Sequence, residues 1–198
     1  MLGHLFVFTV QLGTAWRHPS LSRGSKQGTH KTGDRQTSDK QTHRGGYRVA
    51  PQLKMLINKL DTAGVPVLEI NLYDLVCEIL EGKGGMDRMF RVEKAKSKEK
   101  FLRALQSSLN IHQVLMPIID EKIKDSEAKV YFLTGIGLVF PFIRSHNILN
   151  NLQNIAKEAP TVAFFPGDYN GHSLNLFGLL KDDNYYRAFN IDKIEAKS

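Results

Sequence analysis

From Pro51 onward, apolar residues recur at intervals that specify helices and buried strands. Leu53, Leu56, Ile57 and Leu60 follow helical spacing, and Gly64 predicts the stop. Residues 65–72 form a short apolar run suited to a buried parallel strand. Asp74 is placed to cap a helix bearing Leu75, Val76, Ile79 and Leu80, which Gly82 ends; Gly82-Lys83-Gly84-Gly85 reads as a loop. Ser97 predicts the N-cap of a helix over 98–109 with Phe101, Leu102 and Leu105 on one face. A second amphipathic helix spans about 112–124, with Pro117 kinking or delaying it. Residues 130–133 read as a buried strand, 134–137 as a tight loop, and Ile143, Ile148, Leu149 and Leu152 as one face of a helix. Residues 161–165 form another strand, ended by Pro166-Gly167. A helix through Leu174, Leu176, Phe177 and Leu180 and a last strand over 185–191 complete the pattern.

Strands alternating with helices imply right-handed parallel crossovers and helices on both sheet faces. The predicted fold class is α/β: a three-layer sandwich with a mostly parallel sheet of at least four strands, near 67–72, 130–134, 161–165 and 186–191. Its topology is Rossmann-like or P-loop-like, without a Walker motif.

Charge changes the domain picture. Residues 1–50 hold eight Lys/Arg against two Asp/Glu, whereas 51–198 hold nineteen against eighteen. The net charge of +7 therefore belongs to the N-terminal segment and is weak evidence for a DNA-binding face on the fold. Within that segment, 5–10 is apolar but lacks the preceding basic residue of a signal peptide, and Gly13-Thr14-Ala15 is a loose cleavage site. Residues 17–48 have almost no large apolar side chains and are expected to be disordered or foreign to the natural fold. The domain division is thus 1–50, a basic low-complexity segment, and 51–198, the α/β domain. The interleaved Lys94, Lys96, Lys98 and Lys100 sit among Glu93 and Glu99 and read as a solvated helix face.

Other compositional features exclude whole classes. No run of about 18 apolar residues predicts a transmembrane helix, so no membrane association and a cytoplasmic location are expected. The single cysteine, Cys77, excludes an internal disulfide framework and a Cys-rich zinc site, and its apolar helix face assigns it to the core.

In open parallel sheets, ligands bind beyond the carboxyl ends of the strands. Those ends gather Asn71, Tyr73 and Asp74, the 134–137 loop, and residues 166–171 on one rim. Gly135 and Gly137 resemble a phosphate loop, but neither GxxxxGK[ST] nor a third glycine at GxGxxG spacing is present; close backbone packing is the favoured reading. Arg144 is suited to clamp an anion and His146 to act as acid or base. The plainer reading pairs Arg144 with an acid and gives Ser145 and His146 to helix capping, with Asn150 following on the same helix. Asp168, His172 and Ser173 lie around one turn, yet no GxSxG elbow or metal-ligand spacing accompanies them. Asp168 and Asn170 then form the turn and Ser173 caps a following helix. Asp182 and Asp183 are caps or partners of Arg187.

Three segments carry a resemblance: Leu133-Thr134-Gly135-Ile136-Gly137-Leu138-Val139-Phe140-Pro141-Phe142-Ile143-Arg144-Ser145-His146, Phe165-Pro166-Gly167-Asp168-Tyr169-Asn170-Gly171-His172-Ser173-Leu174, and Lys181-Asp182-Asp183-Asn184-Tyr185-Tyr186-Arg187-Ala188-Phe189. With Leu149-Asn150-Asn151-Leu152 and 67–75, they closely resemble the BrxB family, a small core component of bacterial BREX phage-defence systems. The similarity covers roughly residues 51–191. It implies membership of a system that combines a DNA methyltransferase (PglX), a large ATPase (BrxC) and a phosphatase-superfamily protein (PglZ), marking host DNA and excluding phage. It also implies a subunit with no established enzymatic activity, working through protein contacts with PglZ as the expected partner; no cofactor or metal is expected. Members of the family normally begin with an ordered helix and strand, whose place here is taken by the polar segment.

The leading expectation is therefore a non-enzymatic defence-complex subunit. It presents loops 134–146, 166–173 and 182–187 to a partner, with Arg144, His146, Asp168, Tyr169, Tyr185 and Arg187 as anchors. The rival expectation is a nucleotide- or phosphate-binding enzyme or sensor built on Gly135, Gly137, Arg144 and Asp168 or His146, with Gly167 on the same rim. Direct nucleic-acid binding through the basic segment is the third.

Overall fold

A computed structural model describes residues 5–10, 49–182 and 184–194. Among these residues seven strands form one sheet: β1 (Leu5–Val10), β2 (Val67–Asn71), β3 (Val130–Thr134), β4 (Thr161–Tyr169), β5 (Leu174–Leu176), β6 (Leu180–Lys181) and β7 (Ala188–Asn190). The main path runs β2-β3-β4-β1-β7, and all four pairings along it are parallel. β5 and β6 extend β4 in antiparallel fashion, so the whole sheet is mixed. Six α-helices are described: α1 (Val49–Thr62), α2 (Leu72–Gly82), α3 (Gly85–Ala95), α4 (Lys98–Ser108), α5 (Met116–Lys124) and α6 (Ser145–Ile155). None is long and apolar enough to cross a membrane.

Period-two alternation sends successive residues of one strand to opposite faces. In β3, Tyr131 and Leu133 join a large cluster with Ala163 and Phe165 of β4 and with Leu75, Ile119 and Leu149 of the helices. Val130 and Phe132 join a separate cluster with Leu53 of α1 and Phe164, where the Phe132 and Phe164 rings meet edge-on at 5.1 Å. Both faces of the sheet thus carry apolar cover, as a parallel sheet requires.

Several expected elements differ. Leu5–Val10, assigned from sequence to the polar N-terminal segment, forms the strand between β4 and β7, with Val7 fully buried. Residues 11–48, including the expected disordered tract, lie outside the described residues. Asn71 rather than Asp74 caps α2: its Oδ1 accepts from the backbone N–H groups of Tyr73 and Asp74. Residues 85–95, beyond the glycine loop, form α3. Ser97 caps α4 as expected. The helix expected over 112–124 opens with a π-helical turn at Ile111–Leu115 and continues as α5 from Met116, with Pro117 in the first α-helical turn. Cys77 is half-buried rather than sealed in the core.

The largest departure concerns 166–181. Phe165 does not end its strand; β4 continues through Pro166-Gly167 to Tyr169, and the expected helix over 174–180 is the β5–β6 hairpin. Leu174 and Leu176 are buried while Asn175 between them is less so, which is strand periodicity. The turn places Phe177 (φ 58°) and Gly178 (φ 69°) in the left-handed region, the pair of positive φ values that a tight hairpin favours. The last strand shortens to Ala188–Asn190, followed by a 3-10 turn at Ile191–Lys193. The segment after β3 stays irregular until Ser145, because Pro141 lacks an N–H and restricts Phe140.

Candidate functional site: a hydrogen-bonded rim over the sheet

The β4–β5–β6 extension stands over the carboxyl ends of the parallel strands, where the sequence gathers its polar residues. Its approach is governed by glycines. A Cβ on Gly167 (φ 153°) would lie 2.1 Å from the Asn175 carbonyl oxygen, so the strand crosses β5 only as glycine. A Cβ on Gly137 would meet Pro166 Cγ at 2.8 Å and the Phe177 ring at 3.0 Å. At Gly135 (φ 73°) it would meet Asn71 Oδ1 at 2.6 Å. The space beside Gly135 and Gly137 is filled by the chain itself, so these two glycines serve close packing, the reading favoured from sequence.

Asp182 is the centre of the cluster. Its backbone N–H donates to the Leu174 carbonyl at 2.9 Å. Its carboxylate accepts from the Tyr186 hydroxyl, from Asn184 Nδ2 and from the Asn184 backbone N–H, and pairs with His146 Nδ1 at 3.5 Å. Burial opposes ionisation of this carboxyl, but the Tyr186 and Asn184 donors, helped by His146, outweigh it and hold its pKa below the ordinary value. The same contact acts oppositely on Tyr186: burial first, then the adjacent carboxylate, push its pKa far above that of a free phenol. Ser145 bonds the phenol as well, and Arg144 lies near enough to favour its ionised form. The cluster therefore fixes Asp182 charged and Tyr186 neutral.

A second set of bonds ties the following chain to β4. The Tyr169 hydroxyl bonds the Tyr186 carbonyl at 2.9 Å and the Ala188 carbonyl at 3.1 Å. Tyr186 N–H donates to the His172 carbonyl at 2.9 Å. Asn170 Oδ1 accepts from the backbone of His172 and Ser173 and closes their turn. No helix follows, so Ser173 caps none; its Oγ instead accepts from Asn170 Nδ2 at 3.2 Å.

The expected site residues consequently divide. Arg144, Ser145, His146 and Asp182 come together, with Leu174, around a cleft of about 30 Å³, room for about one water molecule. Tyr169 is buried and acts as an internal tie, so it is not the exposed anchor expected of it. Arg144, Asn150, Asp168, His172, Tyr185 and Arg187 face solvent. Tyr185 is 62% exposed, and its ring packs on His172 with centroids 4.8 Å apart. Among the described residues Asp182 pairs with His146 rather than Arg187, and no group of three potential metal ligands occurs. Asp183 lies outside the described residues. Sequence reasoning missed Tyr186, whose partner Asp182 is four residues away but whose contacts with His172 and Ser145 are remote in sequence, and Leu179 at the hairpin tip, which is 82% exposed.

The fold and rim define a small α/β domain whose strand ends support a bonded hairpin with aromatic and cationic side chains on its outside. The sequence profile described as BREX protein BrxB matches residues 68–191, more than half of the chain, and the chain belongs to that family. A "BREX protein BrxB" of Bacillus cereus (strain H3081.97) is 43% identical over 131 residues, 64% of this chain and 67% of the relative. One of Escherichia coli O9:H4 (strain HS) is 27% identical over 122 residues, 62% and 60% respectively. The chain thus spans between three fifths and two thirds of these relatives. No solved structure matches it significantly.

Proposed function

We propose that this protein is a non-enzymatic subunit of a BREX defence complex that binds a PglZ-like protein through the rim, in support of host DNA methylation and phage exclusion. One observation carries the reading. At the base of the rim Asp182 is committed to Tyr186, Asn184 and His146, while Arg144, Tyr185 and Arg187 project from that braced base. Internal commitment supplies rigidity, and exposed Tyr and Arg are the residue types that dominate binding energy at protein interfaces. The cleft of about 30 Å³ is an order of magnitude below the size of pockets that hold small-molecule ligands, which favours a surface role over a nucleotide site. The separate apolar clusters on the two sheet faces support a three-layer arrangement that holds this rim in place.

Co-purification tests the reading. Tagged protein expressed with the full set of neighbouring defence genes is expected to bring down the PglZ-like protein in a fixed ratio. Recovery of the tagged protein alone, with its partner present in the lysate, contradicts it.

A further inference from the structure

The near-neutral charge of residues 51–198 conceals a segregation. Residues 83–103 hold eight Lys/Arg against three Asp/Glu, while the rest of 51–198 holds eleven against fifteen. The excess concentrates where α3 meets α4. Arg91 and Lys94 lie toward the end of α3, Lys96 in the two-residue connection, and Lys98 and Lys100 in the first turn of α4; all five are exposed. At 1.5 Å per helical residue, and about 3.5 Å per residue in the connection, this corner is roughly 15 Å across.

The two neighbouring acids do not neutralise it. Among the described residues the ion pairs are Lys122–Glu78, Lys124–Asp120 and His146–Asp182, and none includes a corner cation. Glu99 is turned back on its own helix start. Its carboxyl is held below the ordinary value first by its own backbone N–H and by the Ser97 side chain, with Lys98 the smallest contributor. Glu99 acts on Lys98 only weakly, and among the described residues neither Lys98 nor Lys100 has a carboxylate within ion-pair distance. Neither α3 nor α4 contains a fully buried residue; Met86, Met89 and Leu105 pack on the core from outside, so the pair is a peripheral corner.

We propose that the α3–α4 corner is a sequence-independent docking surface for the phosphate backbone of double-stranded DNA. The surface is separate from the rim and does not rest on the function proposed for it. Duplex DNA carries one charge per about 1.7 Å of axis, so a 15 Å patch faces more phosphates than it has cations. Four of the five cations are lysines, point charges on flexible stems that follow phosphates without fixed geometry. Such point charges bind phosphate without the bidentate fork that arginine uses to read base edges, which suits contact independent of sequence.

The test uses the full chain, a fluorescent 20-base-pair duplex in two unrelated sequences, and salt from 50 to 200 mM. The expected result is equal binding to both sequences and an affinity loss of about a hundredfold or more across that range, the slope for four or more phosphate contacts. The variant K94Q/K96Q/K98Q/K100Q is expected to lower the log–log salt slope by about 3 to 4. The control K54Q/K59Q/K157Q/K193Q removes the same charge elsewhere and is expected to leave the slope within about 1. The milder K96Q/K98Q is expected to show about half the corner's effect and covers the case in which the quadruple variant folds poorly. No binding at 50 mM salt, equal slope losses in the corner and control variants, or displacement of the duplex by poly-glutamate at matched charge would each overturn the proposal.

Discussion

Gly167 and Gly171 both have positive φ, yet substitution at the two should differ sharply. A Cβ at Gly171 (φ 91°) meets nothing within 4 Å, whereas one at Gly167 meets a backbone oxygen at 2.1 Å. Gly171→Ala should therefore cost only left-handed backbone strain, about 1–2 kcal/mol. Gly167→Ala should cost about 3 kcal/mol or more, because β5 must move. Urea unfolding measures both, and equal costs would contradict the crossing described. Asp182 supports a pH prediction. Its pKa is lower in the folded protein, so its stabilisation is complete above the unfolded carboxyl value of about 3.9 and is lost as pH falls through the folded value. Asp182→Asn should destabilise the protein by about 1.5–3 kcal/mol at neutral pH. The gap from the wild type should close as the pH drops below about 4. A gap independent of pH would refute the charged, donor-stabilised carboxylate. Tyr169→Phe should cost about 1–3 kcal/mol by leaving the Tyr186 and Ala188 carbonyls short of a donor.

At the scale of elements, the start of α2 separates two cap assignments. Asn71→Ala should cost about 1 kcal/mol, and Asp74→Ala less, since Asp74 only adds charge to the first turn. The reverse order in urea titrations would restore the Asp74 cap. Both residues suit an N-cap, and sequence alone does not reveal which one leaves the strand in extended geometry. Helices α1, α2, α4, α5 and α6 were legible from one apolar face at helical spacing, and the β2, β3 and early β4 strands as short apolar runs covered on both sides. The β5–β6 hairpin was not. Leu174, Phe177 and Leu180 mimic helical spacing, while the turn rests on a left-handed Phe177 that no turn preference announces. β1 was hidden for another reason: a six-residue apolar run is ambiguous until the edges of β4 and β7 are there to receive it.

At the scale of the whole molecule, polar strand ends proved a sound guide to where side chains converge and a poor guide to their roles. Asp182, His146 and Ser145 meet as expected of one rim, but Gly135 and Gly137 pack against the chain and Tyr169 turns inward. Side-chain direction depends on β4 running past the sheet and folding back, and that long-range event left only Pro166-Gly167 as its trace. The central claim is that Arg144, Tyr185 and Arg187 hold the partner. Calorimetric titration of the PglZ-like protein from the same defence system against wild type and R144A/Y185A/R187A measures this directly. All three residues are exposed, so the variant should keep the wild-type melting temperature and lose at least about 2 kcal/mol of binding, roughly thirtyfold in affinity. Undiminished affinity in the folded variant would contradict the account.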